Sequence, residues 1–427
     1  MKIKVTEKTI EEVLQMPAQA HRKPKRPARF FGWLLKTLSA SDLKATNFTY
    51  TQTGMERLGA DEACLILMNH SSFIDLKIAA TLLYPRPFNI VCTSDGFVGK
   101  EGLMRAIGCI PTRKFVSDMV LVKDMMHALK QEKSSVLMFP EASYSFDGTA
   151  TPLPESLGKC LKMLGVPVVM IKTQGAFLRD PLYNNLQLRK VDVSATMEYL
   201  LSPQEIKEKS VEELNAVLKE QFTFDGFLEQ QEKKTRVSEN FRADYLNRVL
   251  YKCPHCLAEQ HTVGKGTRLV CKDCGAEYEL TETGYLQALN RDAKFTHVPD
   301  WYAWERECVR GELTNETYRL DVPVDICVMR NMDSIYRVGT GRLVHTKEGF
   351  HLTGCDGKID YRQKPTASYS LYSDYYWYEL GDMICIGNND ILYYCFPKEG
   401  GDVVAKTRLA AEELFQILIE IDRYKGL

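Results

Sequence analysis

Between about residues 45 and 200, short apolar runs alternate with helix-forming stretches, and several runs end on polar residues able to do chemistry. The runs are 63–68, 88–92, 109–112, 136–139 and 166–171, with helices expected from about Ser72 and over 117–131. Strands that are apolar throughout are buried on both faces, and strands alternating with helices run parallel to one another. This region therefore predicts an α/β fold: a mostly parallel sheet with flanking helices. In such a sheet ligands bind beyond the carboxyl ends of the strands, so the residues that follow the runs share one crevice.

The chain has 427 residues, room for about three domains. Residues 1–44 form a basic amphipathic N-terminal segment, and 45–202 the α/β region. Residues 203–320 read as a helical linker carrying a small cysteine module at about 249–280. Strand-like runs at 324–329, 342–345, 350–353, 368–380, 383–387 and 391–396, followed by an amphipathic helix over about 405–422, make 321–427 a β-rich domain. A β-meander closed by one helix is similar to the pleckstrin-homology superfold.

Lys+Arg 55 against Asp+Glu 56 leaves a net charge of -1, so no global basic field points to nucleic acid. No run reaches the ~18 to 20 apolar residues that span a bilayer, and the first residues carry Glu7, Glu11 and Glu12 in place of a signal-peptide apolar stretch. Thirteen cysteines, many inside apolar runs, suit a reducing compartment. The expected location is cytoplasmic.

The run ending at Met68 continues Asn69-His70-Ser71-Ser72-Phe73-Ile74-Asp75. A carboxylate five residues after a histidine, in the first turns of a helix, reaches back to one imidazole nitrogen and leaves the other free to accept a proton. A second strand delivers Arg113 and a third Glu141, so the crevice gathers a histidine, an arginine and a glutamate.

With these residues in order, the region resembles the glycerophospholipid acyltransferases of the lysophosphatidic-acid-acyltransferase type. Asn69, His70 and Asp75 match its Asn-His-x4-Asp block, and Gly108, Ile110 and Arg113 match a Gly-x-Ile-x-x-Arg block more loosely. Phe139, Pro140 and Glu141 match Phe-Pro-Glu, and 166–169 match a Val-Pro-Val-Val run. The resemblance implies acyl transfer from a thioester donor, acyl-CoA or acyl carrier protein, to a hydroxyl of a lyso-glycerophospholipid such as 1-acyl-glycerol-3-phosphate. It implies His70 as general base, Asp75 as its orienting partner, and Asn69, Arg113, Glu141 and Ser143 in substrate binding. One departure stands out: where the family usually has Gly-x-Arg-Ser, this chain has Ala142-Ser143-Tyr144-Ser145. A tyrosine supplies no charged fork for a phosphate, which shifts that task to Arg113 and Lys114 and keeps a non-phosphate acceptor, or a non-catalytic lipid-binding scaffold, as alternatives.

Two further features stand apart. Cys253-Pro-His-Cys256 and Cys271-Lys-Asp-Cys274, separated by 14 residues, resemble a zinc ribbon. Four thiolates suit a closed, structural Zn²⁺ site, with His255 as a turn residue. Residues 21–36 combine Arg22, Lys23, Lys25, Arg26, Arg29 and Lys36 with Phe30, Phe31, Trp33 and Leu34 and hold no acid, the composition of a segment lying in the headgroup layer of an anionic membrane. The expected partners are a lipid substrate and a membrane surface, with acyl carrier protein as an alternative donor and nucleic acid disfavoured.

Overall fold

A computed structural model describes residues 2–116, 118–398 and 401–425. The chain opens with strand β1 (Val5–Glu7), the short helix Ile10–Gln15 and the helix Arg29–Ala45. Seven strands follow: β2 (Thr49–Thr53), β3 (Leu65–Met68), β4 (Phe88–Thr93), β5 (Cys109–Thr112), β6 (Ser135–Met138), β7 (Val168–Gln174) and β8 (Ser194–Leu201). They form one sheet in the order β2-β8-β7-β3-β6-β4-β5. Its central pairings, β7-β3-β6-β4-β5, are all parallel, while β8 runs antiparallel to β7. The α/β fold with a mostly parallel sheet is thus the observed one. β3 and β6 are buried at every position, as strands covered on both faces by helices must be.

Several helices begin where a side chain satisfies the first amides. Asp118 accepts from Val120 N and Leu121 N ahead of the helix Met119–Lys130, and Ser202 and Ser210 form capping boxes with Glu205 and Glu213. After these helices comes a four-stranded antiparallel ribbon, β9 (Thr262–Lys265), β10 (Arg268–Cys271), β11 (Glu277–Leu280) and β12 (Leu286–Ala288). The ribbon packs on the helix Val298–Thr314: Trp301 Nε1 donates to Lys252 O at 2.9 Å, and the Trp301 and Tyr278 rings meet edge to face at 5.2 Å.

The last seven strands are β13 (Leu320–Met329), β14 (Ile335–Thr346), β15 (Gly349–Gly354), β16 (Ile359–Gln363), β17 (Tyr372–Trp377), β18 (Gly381–Gly387) and β19 (Leu392–Pro397). They pair antiparallel in the order β16-β15-β14-β13-β19-β18-β17, and β1 adds itself parallel to β14. β13 lies at the centre, bonded on one side to β14 and on the other to β19, with its register shifted at Ile326/Cys327. The closing helix Val403–Lys425 buries Val404, Ala405, Leu409, Ala410 and Leu414. This is the meander-plus-helix order expected of the β-rich region.

The two sheets share a core: buried residues of β3 and β7 fall in one continuous apolar cluster with those of β13, β18 and β19. Among the described residues no helix is long and apolar enough to cross a membrane.

Candidate active site

β3 ends at Met68, and the chain turns through 69–74 into the helix Asp75–Leu83. One carboxylate oxygen makes three of the contacts that hold that turn. Asp75 Oδ2 accepts from the backbone amides of Ser71 (2.8 Å) and Ser72 (3.0 Å) and lies 3.2 Å from His70 Nδ1. The five-residue spacing therefore does what the sequence suggested: the carboxylate at the helix start fixes the loop and the imidazole together. With Nδ1–H donating to Asp75, Nε2 is the nitrogen left to accept a proton. Burial holds the His70 pKa below its ordinary value despite the opposing carboxylate, so the ring is neutral near pH 7.

The ring is also clamped from its faces. Phe139 stacks on the imidazole at a centroid distance of 4.2 Å and Tyr144 at 4.0 Å. Exposed Phe73 leans on Tyr144 in turn, at 5.4 Å. Tyr144, where the resembled family has arginine, thus packs flat against the histidine. Ala142, where that family has glycine, adopts φ 54 in a turn closed by Ala142 N donating to Phe139 O. This is the left-handed region that glycine enters without strain.

Glu141 faces inward and is 1% exposed. Its Oε2 accepts from His70 N at 2.8 Å and its Oε1 from Thr151 N at 3.0 Å. Burial pushes its carboxyl up to about 7, against these hydrogen bonds, which favour the ionised form. Asn69 is likewise buried and ties the end of β3 to β7: its Oδ1 accepts from Thr173 N at 2.8 Å, and its Nδ2 donates to Ser71 Oγ at 3.2 Å. His70, Asp75, Asn69 and Glu141 are thus brought together. Thr151 and Thr173, which complete their hydrogen bonding, stand outside any spacing pattern.

The other two candidate residues face the C-terminal domain. Arg113 Nη1 donates to Asn388 O, in the turn between β18 and β19, at 2.6 Å. Ser143 Oγ accepts from Arg408 Nη1 of the closing helix at 3.1 Å, and Arg408 lies 4.4 Å over the Phe146 ring while Glu412 accepts from its Nε. Nothing near Arg408 in the sequence signals this role, because it depends on how the last helix docks. A cavity of about 710 Å³ adjoins the site; Thr151 and Arg408 line it, and Leu153, Leu157, Leu218 and Phe222 give it an apolar wall.

The four cysteines converge as the spacing suggests. Their Sγ atoms all lie within 4.8 Å of one another, with Cys253–Cys274 and Cys256–Cys271 at 3.7 Å. A tetrahedron with metal–sulfur bonds of about 2.3 Å has edges of about 3.8 Å, so the donor set fits a tetrahedral metal ion. His255 is engaged instead by the Tyr278 hydroxyl, 2.9 Å from Nε2.

Residues 49–173 match the acyltransferase family model. The chain matches no curated protein. Among solved structures it is similar to the 1-acyl-sn-glycerophosphate (LPA) acyltransferase of Thermotoga maritima, with 15% identity, 45% of this chain and 76% of that one covered, and a TM-score of 0.35.

Proposed function

From the match of residues 49–173 to the acyltransferase family model, we propose that the chain moves an acyl group from a thioester, acyl-CoA or acyl carrier protein, to a hydroxyl of a lyso-glycerophospholipid of the 1-acyl-glycerol-3-phosphate type. The observation that carries this reading is the imidazole held by Asp75 through Nδ1 and kept neutral by burial. In the reaction, Nε2 takes the proton of the acceptor hydroxyl as its oxygen attacks the thioester carbonyl. Asp75 stabilises the imidazolium that forms. Collapse of the tetrahedral intermediate breaks the carbon–sulfur bond, and the imidazolium returns its proton to the departing thiolate. Glu141 acts as a positioning residue by holding the His70 amide, and the cavity beside Thr151 accommodates the acyl chain.

The four cysteines would hold Zn²⁺ as thiolates in a closed site, whose contribution is to folding. The N-terminal helix lies on the cytoplasmic face of an anionic membrane, a reading supported by its exposed Phe30 and Trp33 beside exposed cations. A second reading, an acceptor without a phosphate ester, is favoured by two observations: Arg113 is engaged by Asn388, and Tyr144 carries no charge. Incubating the purified chain with labelled acyl-CoA and acceptors with and without phosphate decides between them. Transfer to the phosphate-bearing acceptor alone supports the first reading. Transfer to the neutral one alone supports the second, and no transfer to any acceptor overturns both.

A further inference from the structure

Where the end of β5 meets the β-rich sheet, the two domains enclose a cavity of about 370 Å³. One wall is the loop that follows Arg113, and the other is built from the ends of β16 and β18 and the turns beyond them. Its lining is charged in one sense only. Lys114, Arg362 and Lys364 line it, and no Asp or Glu is among the described lining residues, in a chain whose net charge is -1. Arg362 and Lys364 are exposed and enter no ion pair among the described residues.

Lys114 differs from them. Its Nζ lies 4.3 Å from the centre of the Tyr372 ring, burial lowers its pKa, and Asp374 and Asp95 oppose that shift. Its charge also reaches the imidazole, where it helps to lower the His70 pKa. The cavity is therefore within electrostatic range of the reacting histidine. Its loop is shaped for this position: Phe115 takes φ 59, an uncommon conformation for a bulky residue, and sets its ring edge-on to Tyr369 at 5.3 Å. The Arg113–Asn388 hydrogen bond fastens the loop to the opposite wall.

We propose that this seam cavity binds the phosphate ester of a substrate, with Arg362 and Lys364 of the β-rich domain making the principal contacts and Lys114 joining them to the histidine site. An arginine fork and two ammonium groups, in a cavity with no carboxylate among its described lining residues, suit a phosphate dianion. The β-rich domain then supplies the cations that the Tyr144 position lacks. The phosphate comes from either of two sources, the lipid acceptor or a coenzyme A donor. The inference rests on the first acyl-transfer reading given above.

Equilibrium binding to the full chain tests it without turnover. The probes are 1-hexanoyl-glycerol-3-phosphate, 1-hexanoyl-glycerol and coenzyme A, and the variants are the double charge reversal Arg362→Glu/Lys364→Glu, at exposed positions, and Lys114→Met. We expect at least one phosphate-bearing probe to bind about tenfold or more weakly in both variants, the scale of losing one charge-assisted hydrogen bond. Binding of the neutral probe and the unfolding midpoint of the double variant should not change. A loss confined to the lysophosphatidate probe assigns the cavity to the acceptor, and one confined to coenzyme A assigns it to the donor. A wild type that binds neither phosphate probe, or a double variant that binds both as well as the wild type does, overturns the proposal. A protein that binds through these residues yet transfers no acyl group sinks the acyl-transfer reading and leaves the cavity. Transfer with unchanged donor and acceptor KM in the double variant does the reverse.

Discussion

Asp75 concentrates three interactions on one oxygen, from the imidazole and two backbone amides, while its other oxygen is buried with no hydrogen-bond partner among the described residues. Asparagine at this position keeps an acceptor for the loop but removes the charge that stabilises an imidazolium. Asp75→Asn should therefore fold normally and lose about 10²-fold or more in kcat, and His70→Ala about 10² to 10⁴, the usual share of a general base. Near-normal turnover in His70→Ala would rule out the mechanism. Because burial lowers the His70 pKa from 6.5, kcat/KM should rise with pH through an apparent pKa below that value and be level at neutral pH. Glu141 gives a separate signal in stability. Its carboxyl is raised from 4.5 to about 7 in the fold, so between those values the folded state keeps a proton that the unfolded chain has lost. Stability is then full below about 4.5 and falls as pH rises through about 7, by up to roughly 3 kcal/mol for this group. Urea unfolding at about pH 5 and pH 8 should show that loss shrinking in Glu141→Gln, which carries no titrating group; an equal loss in both proteins would contradict the assignment.

At the scale of elements, the strands that carry the site were legible because each is built on a short, mainly apolar run. β5 has the bounds read from the sequence, and β3 and β6 lie within two residues of theirs. β2 is illegible for the opposite reason: Thr-Tyr-Thr-Gln-Thr is exposed at every position and stands at the sheet edge, so no burial pattern marks it. β1 pairs with β14 across more than 300 residues of chain, a match that no local pattern encodes. The histidine–carboxylate pair was legible for a related reason. Both residues lie in one turn, whereas Arg408 reaches Ser143 only after the closing helix has docked. The cysteine ribbon is local too, and its consequences spread outward. Trp301 fixes it to the helix Val298–Thr314, whose Arg306 pairs with Glu412 and Glu413 of the closing helix. We expect elemental analysis to find one zinc per chain, lost in Cys253→Ser or Cys271→Ser. Binding energy at such a site is folding energy, so the unfolding midpoint should fall markedly while acyl transfer by the protein still folded is retained. Metal-free protein of full stability would remove zinc from the account.

For the whole molecule, the proposed membrane contact rests on the N-terminal segment. Its backbone is docked: Arg22 O accepts from Arg105, Lys25 O accepts from Asn89 Nδ2 at 2.9 Å, and Arg26 N donates to Glu132. Its basic side chains face away. Arg22, Lys23, Lys25, Arg26 and Arg29 are exposed, and Phe30, Trp33 and Leu38 on the following helix are 59%, 50% and 65% exposed. Residues 30, 33, 34 and 38 fall on one face of that helix at 100° per residue. A rigidly held stripe of aromatic and aliphatic groups beside five cations suits the interface of an anionic bilayer, where each cation adds about 1 kcal/mol within a Debye length of about 8 to 10 Å. Because the backbone is part of the packing, deleting the segment would confuse anchoring with folding, and substitutions separate the two. Phe30→Ser/Trp33→Ser should abolish the salt-resistant part of binding to vesicles containing phosphatidylserine. Arg22→Glu/Lys23→Glu/Arg26→Glu should abolish the part that high salt removes. Both variants should keep the unfolding midpoint and the turnover on a detergent-dispersed acceptor. Vesicle binding indifferent to salt and to both sets of substitutions would place the membrane contact on another face of the molecule.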